Sequence, residues 1–195
     1  MLEVFARVHV LKLGAIEDLS RYRLENEHTV ERVDARAIDT EHGAFELVTY
    51  RDRLNHALHF ALVRGTPDAG TPTLVRVQVR NPLADALRWR RPDFGPAVGD
   101  VLAMIAAEGR GVLVLLDAPG PEDPDKLLQR IREPQPEPAA DATAPRGALL
   151  EWRRNGAGSQ ILADLGLGKL RVLGTPRRQV GLAGYGLEVV EHIPL

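Results

Sequence analysis

The run Gly111–Leu116 (GVLVLL) is the feature that most constrains the fold of this chain. It is far shorter than a membrane span, and within it the continuous apolar run Val112–Leu116 reads as a strand covered on both faces. Just before it, Val98–Glu108 carries Val101, Leu102, Ile105 and Ala106 on one helical face. Gly109 then stands where a left-handed C-terminal cap belongs.

The C-terminal stretch continues the alternation. Ser159–Leu165 reads as a helix and Lys169–Leu173 as a strand. Pro176–Ala183 follows as a helix with proline near its first turn, then Leu187–Val190 as a strand. The short glycine connections predict a parallel α/β unit with right-handed crossovers. On the N-terminal side, Leu47–Tyr50 and Ala57–Val63 read as strands separated by a polar turn around Asp52–Asn55. Leu74–Val79 resumes as a strand after the turn formers of Thr66–Thr73. The class is therefore α/β with an α+β start: antiparallel strands first, then the parallel unit.

Two stretches stand apart. Gly14–Val30 carries Ala15, Ile16, Leu19 and Tyr22 at roughly helical spacing, and the residues before it (LEVFARVHVLKL) read like the cut end of something longer. Between Pro119 and Pro145 lie seven of the fourteen prolines, so most of Ala118–Arg146 is expected to be a mobile or irregular loop. Only Lys126–Ile131 suits a short helix there.

Composition narrows the function. With 25 basic against 27 acidic residues in 195, no global field invites nucleic acid or an anionic membrane. No basic-then-apolar leader opens the chain, which predicts a cytoplasmic protein. There is no cysteine. That excludes disulfides, Cys-ligated zinc, iron–sulfur clusters and thiol nucleophiles.

Three stretches carry a family resemblance: MIAAEGRGVLVLL (Met104–Leu116), the tail SQILADLGLGKLRVLGTPRRQVGLAGYGLEVVEHIPL (Ser159–Leu195), and VERVDARAIDTEHGAFELVTYRD (Val30–Asp52) with HFALVRG after it. They resemble GTP cyclohydrolase II from about Val30 to the end, which implies that family's fold. Leu2–Arg23 looks like the closing segment of 3,4-dihydroxy-2-butanone 4-phosphate synthase, which precedes a cyclohydrolase II domain in bifunctional riboflavin-pathway proteins. The resemblance thus implies a helical remnant or linker over residues 1–29 and a cyclohydrolase II-like domain over 30–195. It also implies the fused synthase as partner and a homodimer.

Cyclohydrolase II opens the imidazole ring of GTP and releases formate and pyrophosphate. Its zinc ion, held by three cysteines in a pattern like RVHSECLTGD…SLRCDCG, makes the nucleophile by lowering the pKa of bound water to about 7. The similar stretch here is RVQVRNPLADALRWRRPDFG (Arg76–Gly95), which sets Asn81, Pro92 and Phe94 at the three ligand positions. Proline and phenylalanine have no donor atom, and an asparagine carbonyl is a weak neutral ligand. Asp85 and Asp93 add at most two hard ligands. His56-x-x-His59 falls in a strand-like region and reads as surface or core histidines. No metal and no cofactor are expected.

The loop that contacts guanine and phosphates in the family is replaced by DAPGPEDPDKLLQRIREPQP (Asp117–Pro138), with Pro134 at its tyrosine position. Its catalytic Asp-x-Arg pair aligns with Glu151 and Arg153, and a basic residue aligns with Arg178. A Glu-x-Arg beside Trp152 also reads as a solvated turn. Arginine is enriched where the zinc loop would be: Arg76, Arg80, Arg88, Arg90 and Arg91. These suit an anion or nucleotide patch, a docking face for an acidic partner, or a solvated surface neutralised by nearby carboxylates. Trp89 among them suits an interface anchor.

The resemblance therefore leads to a non-catalytic cyclohydrolase II-like module that scaffolds, dimerises or regulates a fused synthase. An active GTP cyclohydrolase II and a nucleotide or flavin sensor are the alternatives.

Overall fold

Alternating β-branched and aromatic residues build one sheet of seven strands. The computed structural model describes residues 29–91, 94–117, 123–133, 156–174 and 182–194. Within them the strands are β1 (Val30–Thr40), β2 (Gly43–Asp52), β3 (Leu58–Arg64), β4 (Thr73–Val79), β5 (Gly111–Leu116), β6 (Lys169–Leu173) and β7 (Glu188–Ile193). Their order is β1-β2-β3-β5-β4-β6-β7. β1, β2, β3 and β5 pair antiparallel in that order, with Val48 opposite Ala61 and Ala61 opposite Val114. From β5 through β4 and β6 to β7 the pairing is parallel, with Val77 beside Val114. The mixed sheet is the α/β class with an antiparallel start that the element order predicts.

Period two within β5 divides the core. Val112, Val114 and Leu116 join Val48, Tyr50, Ala61, Val75 and Leu170 on one face, under Ile161 and Leu162 of a helix over residues 156–164. Leu113 joins Phe45, Leu62, Leu74 and Leu173 on the other, under Val101, Leu102 and Ile105 of the helix Val98–Glu108. The two helices thus cover opposite faces of the sheet, which is why β5 needs no polar position. Each of these buried aliphatic side chains contributes on the order of 1.5–3 kcal/mol.

The helices are α1 (Pro82–Asp85), α2 (Val98–Glu108), α3 (Pro124–Arg132) and α4 (156–164). α2 ends at Gly109, whose φ of 79° lets its N–H reach the Ile105 and Ala106 carbonyls. A close approach occurs at Gly168, where a Cβ would lie 2.4 Å from the Ala69 carbonyl oxygen.

Several boundaries differ from the sequence reading. Val30 does not close a helix; it opens β1, because it pairs with Asp52 and its N–H donates to Gln160 Oε1 at 3.2 Å. Residues 14–28 of that segment lie outside the described residues, as do most of Ala118–Arg146 and residues 176–181. Inside the proline-rich stretch, α3 extends further than Lys126–Ile131, because Asp123 caps it and Pro124 supplies a preset φ at its first turn. Ala183 opens a short 3-10 turn (Ala183–Tyr185) and does not end an α-helix. No helix among the described residues is long and apolar enough to cross a membrane.

Candidate functional site

The loops after β4 and β5 leave the sheet side by side, because these strands are adjacent and parallel. The C-terminal edge of parallel strands is the usual place for a ligand crevice in such sheets. Arg80 follows β4 and Asp117 follows β5, so the fold brings together two residues that lie 37 apart in sequence.

At that edge four residues form a chain of polar contacts. Arg80 Nη2 donates to Asp117 Oδ1 at 2.6 Å, and its guanidinium lies 5.9 Å from the Phe60 ring centre. The Asp117 N–H donates to Nδ1 of buried His59 at 3.1 Å. Nδ1 therefore accepts, so the ring proton sits on Nε2, 3.9 Å from Asp52 Oδ2. Asp52 Oδ1 in turn accepts from the Leu54 N–H at 2.7 Å. Burial holds the His59 pKa below the ordinary 6.5, against the opposing pull of Asp52 and Asp117. The imidazole is neutral, buried and committed to the backbone. It holds the exit from β5 in place and is inaccessible to a substrate.

His56 takes no part. It is exposed in the preceding turn at a φ of 59° and donates its N–H to the Asp52 carbonyl. The histidine pair is one surface and one core residue. Asp52 and Asp117 escaped the sequence reading. An aspartate directly after a six-residue apolar strand is the signal that could have marked Asp117.

The loop after β4 is built from backbone caps and ring stacking. Asn81 is buried and caps α1, its Oδ1 accepting from the Leu83 N–H at 3.2 Å. Asp85 accepts from two backbone donors, Asn81 N–H at 3.0 Å and Val98 N–H at 3.1 Å. α2 has no side-chain cap of its own at Ala97, so one carboxylate serves the start of both helices. Phe94 meets Trp89 edge-on at 5.4 Å. The Arg91 guanidinium lies 4.2 Å from the Phe94 ring centre and 5.2 Å from that of Trp89. Its Nη1 also donates to the Ile131 carbonyl of α3 at 3.2 Å.

These residues do not fit a zinc ion. The Asn81 oxygen is engaged, Phe94 offers no donor, and Asp85 is a helix cap and not a free hard ligand. Pro92 and Asp93 lie outside the described residues. No group of three or more His, Asp or Glu side chains among the described residues could hold a metal.

The arginines do not converge on one cleft. Arg76 donates to the Leu173 carbonyl at 2.7 Å and to Gln78 Oε1 at 3.3 Å. Arg80 pairs with Asp117, and Arg88 lies 3.6 Å from Asp100 and 3.9 Å from Glu41. Arg91 is in the aromatic stack, and Arg90 is exposed. Glu151, Arg153, Pro134 and Arg178 lie outside the described residues.

Comparison with known proteins agrees with this architecture. The chain is 43% identical over 197 residues to a 3,4-dihydroxy-2-butanone 4-phosphate synthase of Pseudomonas syringae, covering 99% of this chain and 51% of that protein. It is 39% identical over 204 residues to the riboflavin biosynthesis protein RibBA of Mycobacterium tuberculosis, covering 100% and 48%. The crystal structure of RibBX, a two-domain 3,4-dihydroxy-2-butanone 4-phosphate synthase from A. baumannii, matches with a TM-score of 0.59 and 36% identity, over 98% of this chain and 48% of that one. The chain spans about half the length of the curated relatives it matches. Residues 31–194 match the GTP cyclohydrolase II family as a whole. With that match joined to the mixed seven-stranded sheet, the chain belongs to the GTP cyclohydrolase II family.

Proposed function

We propose that this chain is the cyclohydrolase II-like half of a cytoplasmic riboflavin-biosynthesis protein, without activity toward GTP. In this reading it serves a fused 3,4-dihydroxy-2-butanone 4-phosphate synthase as a scaffold, dimerisation or regulatory module. Residues 1–29 are the linker from the synthase half, and 30–195 form the module.

One observation carries the reading. Asn81 and Phe94, which the family resemblance sets at two zinc-ligand positions, are a helix cap and a ring in an aromatic stack, and the nearby carboxylate of Asp85 is tied to two backbone N–H groups. Hydrolytic ring opening needs an activated water, which a metal with an open position supplies. The loop has instead become a self-supporting piece of protein, while the core on both faces of the sheet is intact. The names of the relatives support the riboflavin pathway and the synthase partner.

The module also has a fixed point of entry. Gln160 of α4 is buried, and its Oε1 accepts from the Thr29 N–H at 2.8 Å and the Val30 N–H at 3.2 Å. Its Nε2 donates to Tyr185 Oη at 3.0 Å. A domain preceding Thr29 would thus enter at a held position, as a scaffold requires.

Rescue of a cyclohydrolase II-deficient riboflavin auxotroph by this chain, or stoichiometric zinc in the purified protein, would overturn the non-catalytic reading. No growth and no bound zinc are expected. Deleting residues 30–195 from the full-length protein should change the synthase's activity, stability or oligomeric state. No change in any of these would sink the module role.

A further inference from the structure

The sheet face under α2 is covered only in part. Leu58, Phe60 and Leu62 alternate along β3 and so point to that face together. Leu62 is buried with the α2 side chains, Phe60 is half-buried, and Leu58 is 38% exposed. Coverage therefore falls away toward the turn that joins β2 to β3, and Leu54 in that turn is 48% exposed. Arg51 lies opposite Leu58, and Glu31 opposite Arg51, so polar side chains border the leucines on the outer strands. An apolar centre with a polar rim is the anatomy of a docking patch.

The turn holds its shape without a partner. The Asp52 N–H donates to the Ala57 carbonyl and the His56 N–H to the Asp52 carbonyl, both at 2.9 Å. Asp52 Oδ1 accepts from the Leu54 N–H at 2.7 Å, and Asn55 Oδ1 from the Ala57 N–H at 2.8 Å. These bonds keep His56 at a φ of 59°, which is uncommon outside glycine. Leu54 is thus presented preformed, which lowers the ordering cost of binding.

Position selects the occupant. The Arg53 N–H donates to the Thr29 carbonyl at 2.8 Å, so the turn is bonded to the residue at which the preceding half enters. A domain tethered there meets the patch at an effective concentration on the order of millimolar for a short linker. Two leucines suffice for a tethered partner, whereas a free one gains nothing from the tether.

We infer that Leu54 and Leu58 form the surface on which the preceding synthase half of the full-length protein docks. This deepens the scaffold role proposed above and rests on it.

This half has no cysteine, so one introduced thiol reports its own surroundings. Leu54→Cys, Leu58→Cys and, at the far end of β1, Asp39→Cys are each labelled with a maleimide, in the full-length protein and in this chain alone. Labelling is read on the peptide that carries the new thiol. Positions 54 and 58 should react at least tenfold more slowly in the full-length protein than in this chain, and position 39 equally in both. Equal rates at 54 and 58 in the two proteins would overturn the docking surface. Slow labelling already in this chain alone would assign the cover to the chain itself or to a second copy, and would overturn the synthase as occupant. The companion measurement is the synthase after deletion of residues 30–195. A changed synthase with equal labelling rates removes this surface and keeps the module role. An unchanged synthase with protected thiols keeps the contact and removes the module role.

Discussion

Asp85 offers the most direct test of how the loop after β4 is held together. Its two oxygens accept from Asn81 N–H at 3.0 Å and Val98 N–H at 3.1 Å, one at each helix start. Replacing an N-terminal cap by alanine costs about 1 kcal/mol. Asp85→Ala removes two such contacts and also takes a negative charge from the positive ends of α1 and α2. The expected loss is about 2 kcal/mol, which for a chain of this size lowers Tm by roughly 4–8 °C. Asp85→Asn keeps one carbonyl oxygen but turns an amide donor toward the other N–H, so it should lose about 1–2 kcal/mol. Urea unfolding followed by circular dichroism gives the energies, with Asp39→Ala on the exposed edge strand as control, expected within about 0.5 kcal/mol of the parent. Amide exchange should speed up at Asn81 and Val98 ahead of the core strands. If Asp85→Ala loses no more than the control, or if exchange at Val98 is unchanged, the shared-cap account is wrong.

Three further outcomes follow from the same geometry. His59 has its folded pKa lowered by burial, so stability is full above the unfolded value near 6.5 and falls as pH drops, because only the unfolded state takes the proton. The slope approaches at most about 1.4 kcal/mol per pH unit, and urea midpoints of His59→Asn should lack it; an identical pH slope would refute the assignment. Gly168→Ala puts a Cβ 2.4 Å from the Ala69 carbonyl oxygen, where backbone must move, and should cost about 2–3 kcal/mol in thermal or urea unfolding. Gln160→Ala takes the shared acceptor from Thr29 and Val30 and should cost about 2 kcal/mol, with faster exchange at those two amides.

Much of the sheet was legible in the chain. The alternation of Leu74–Val79 and the unbroken run Val112–Leu116 mark β4 and β5, because side-chain period and burial are local properties of a strand. α2 was legible down to its cap, since Gly109 is needed for a left-handed residue wherever the helix packs. The absence of cysteine is legible directly, and it excludes a thiolate ligand from this chain whatever its fold.

The uses of the replacements were not legible. Asp85 reads in sequence as a possible hard ligand, and only the fold shows it capping a helix that starts thirteen residues later. The arginines read as a patch because they cluster in sequence. On the sheet, Arg76 turns to the Leu173 carbonyl on β6, Arg80 to the carboxylate after β5, and Arg91 to α3. Those partners are 97, 37 and 40 residues away, at distances set by strand order. Local pattern dictates which segments become strands and helices. Which side chains meet depends on how the strands are threaded, and here a crossover that puts β4 between β5 and β6 decides it.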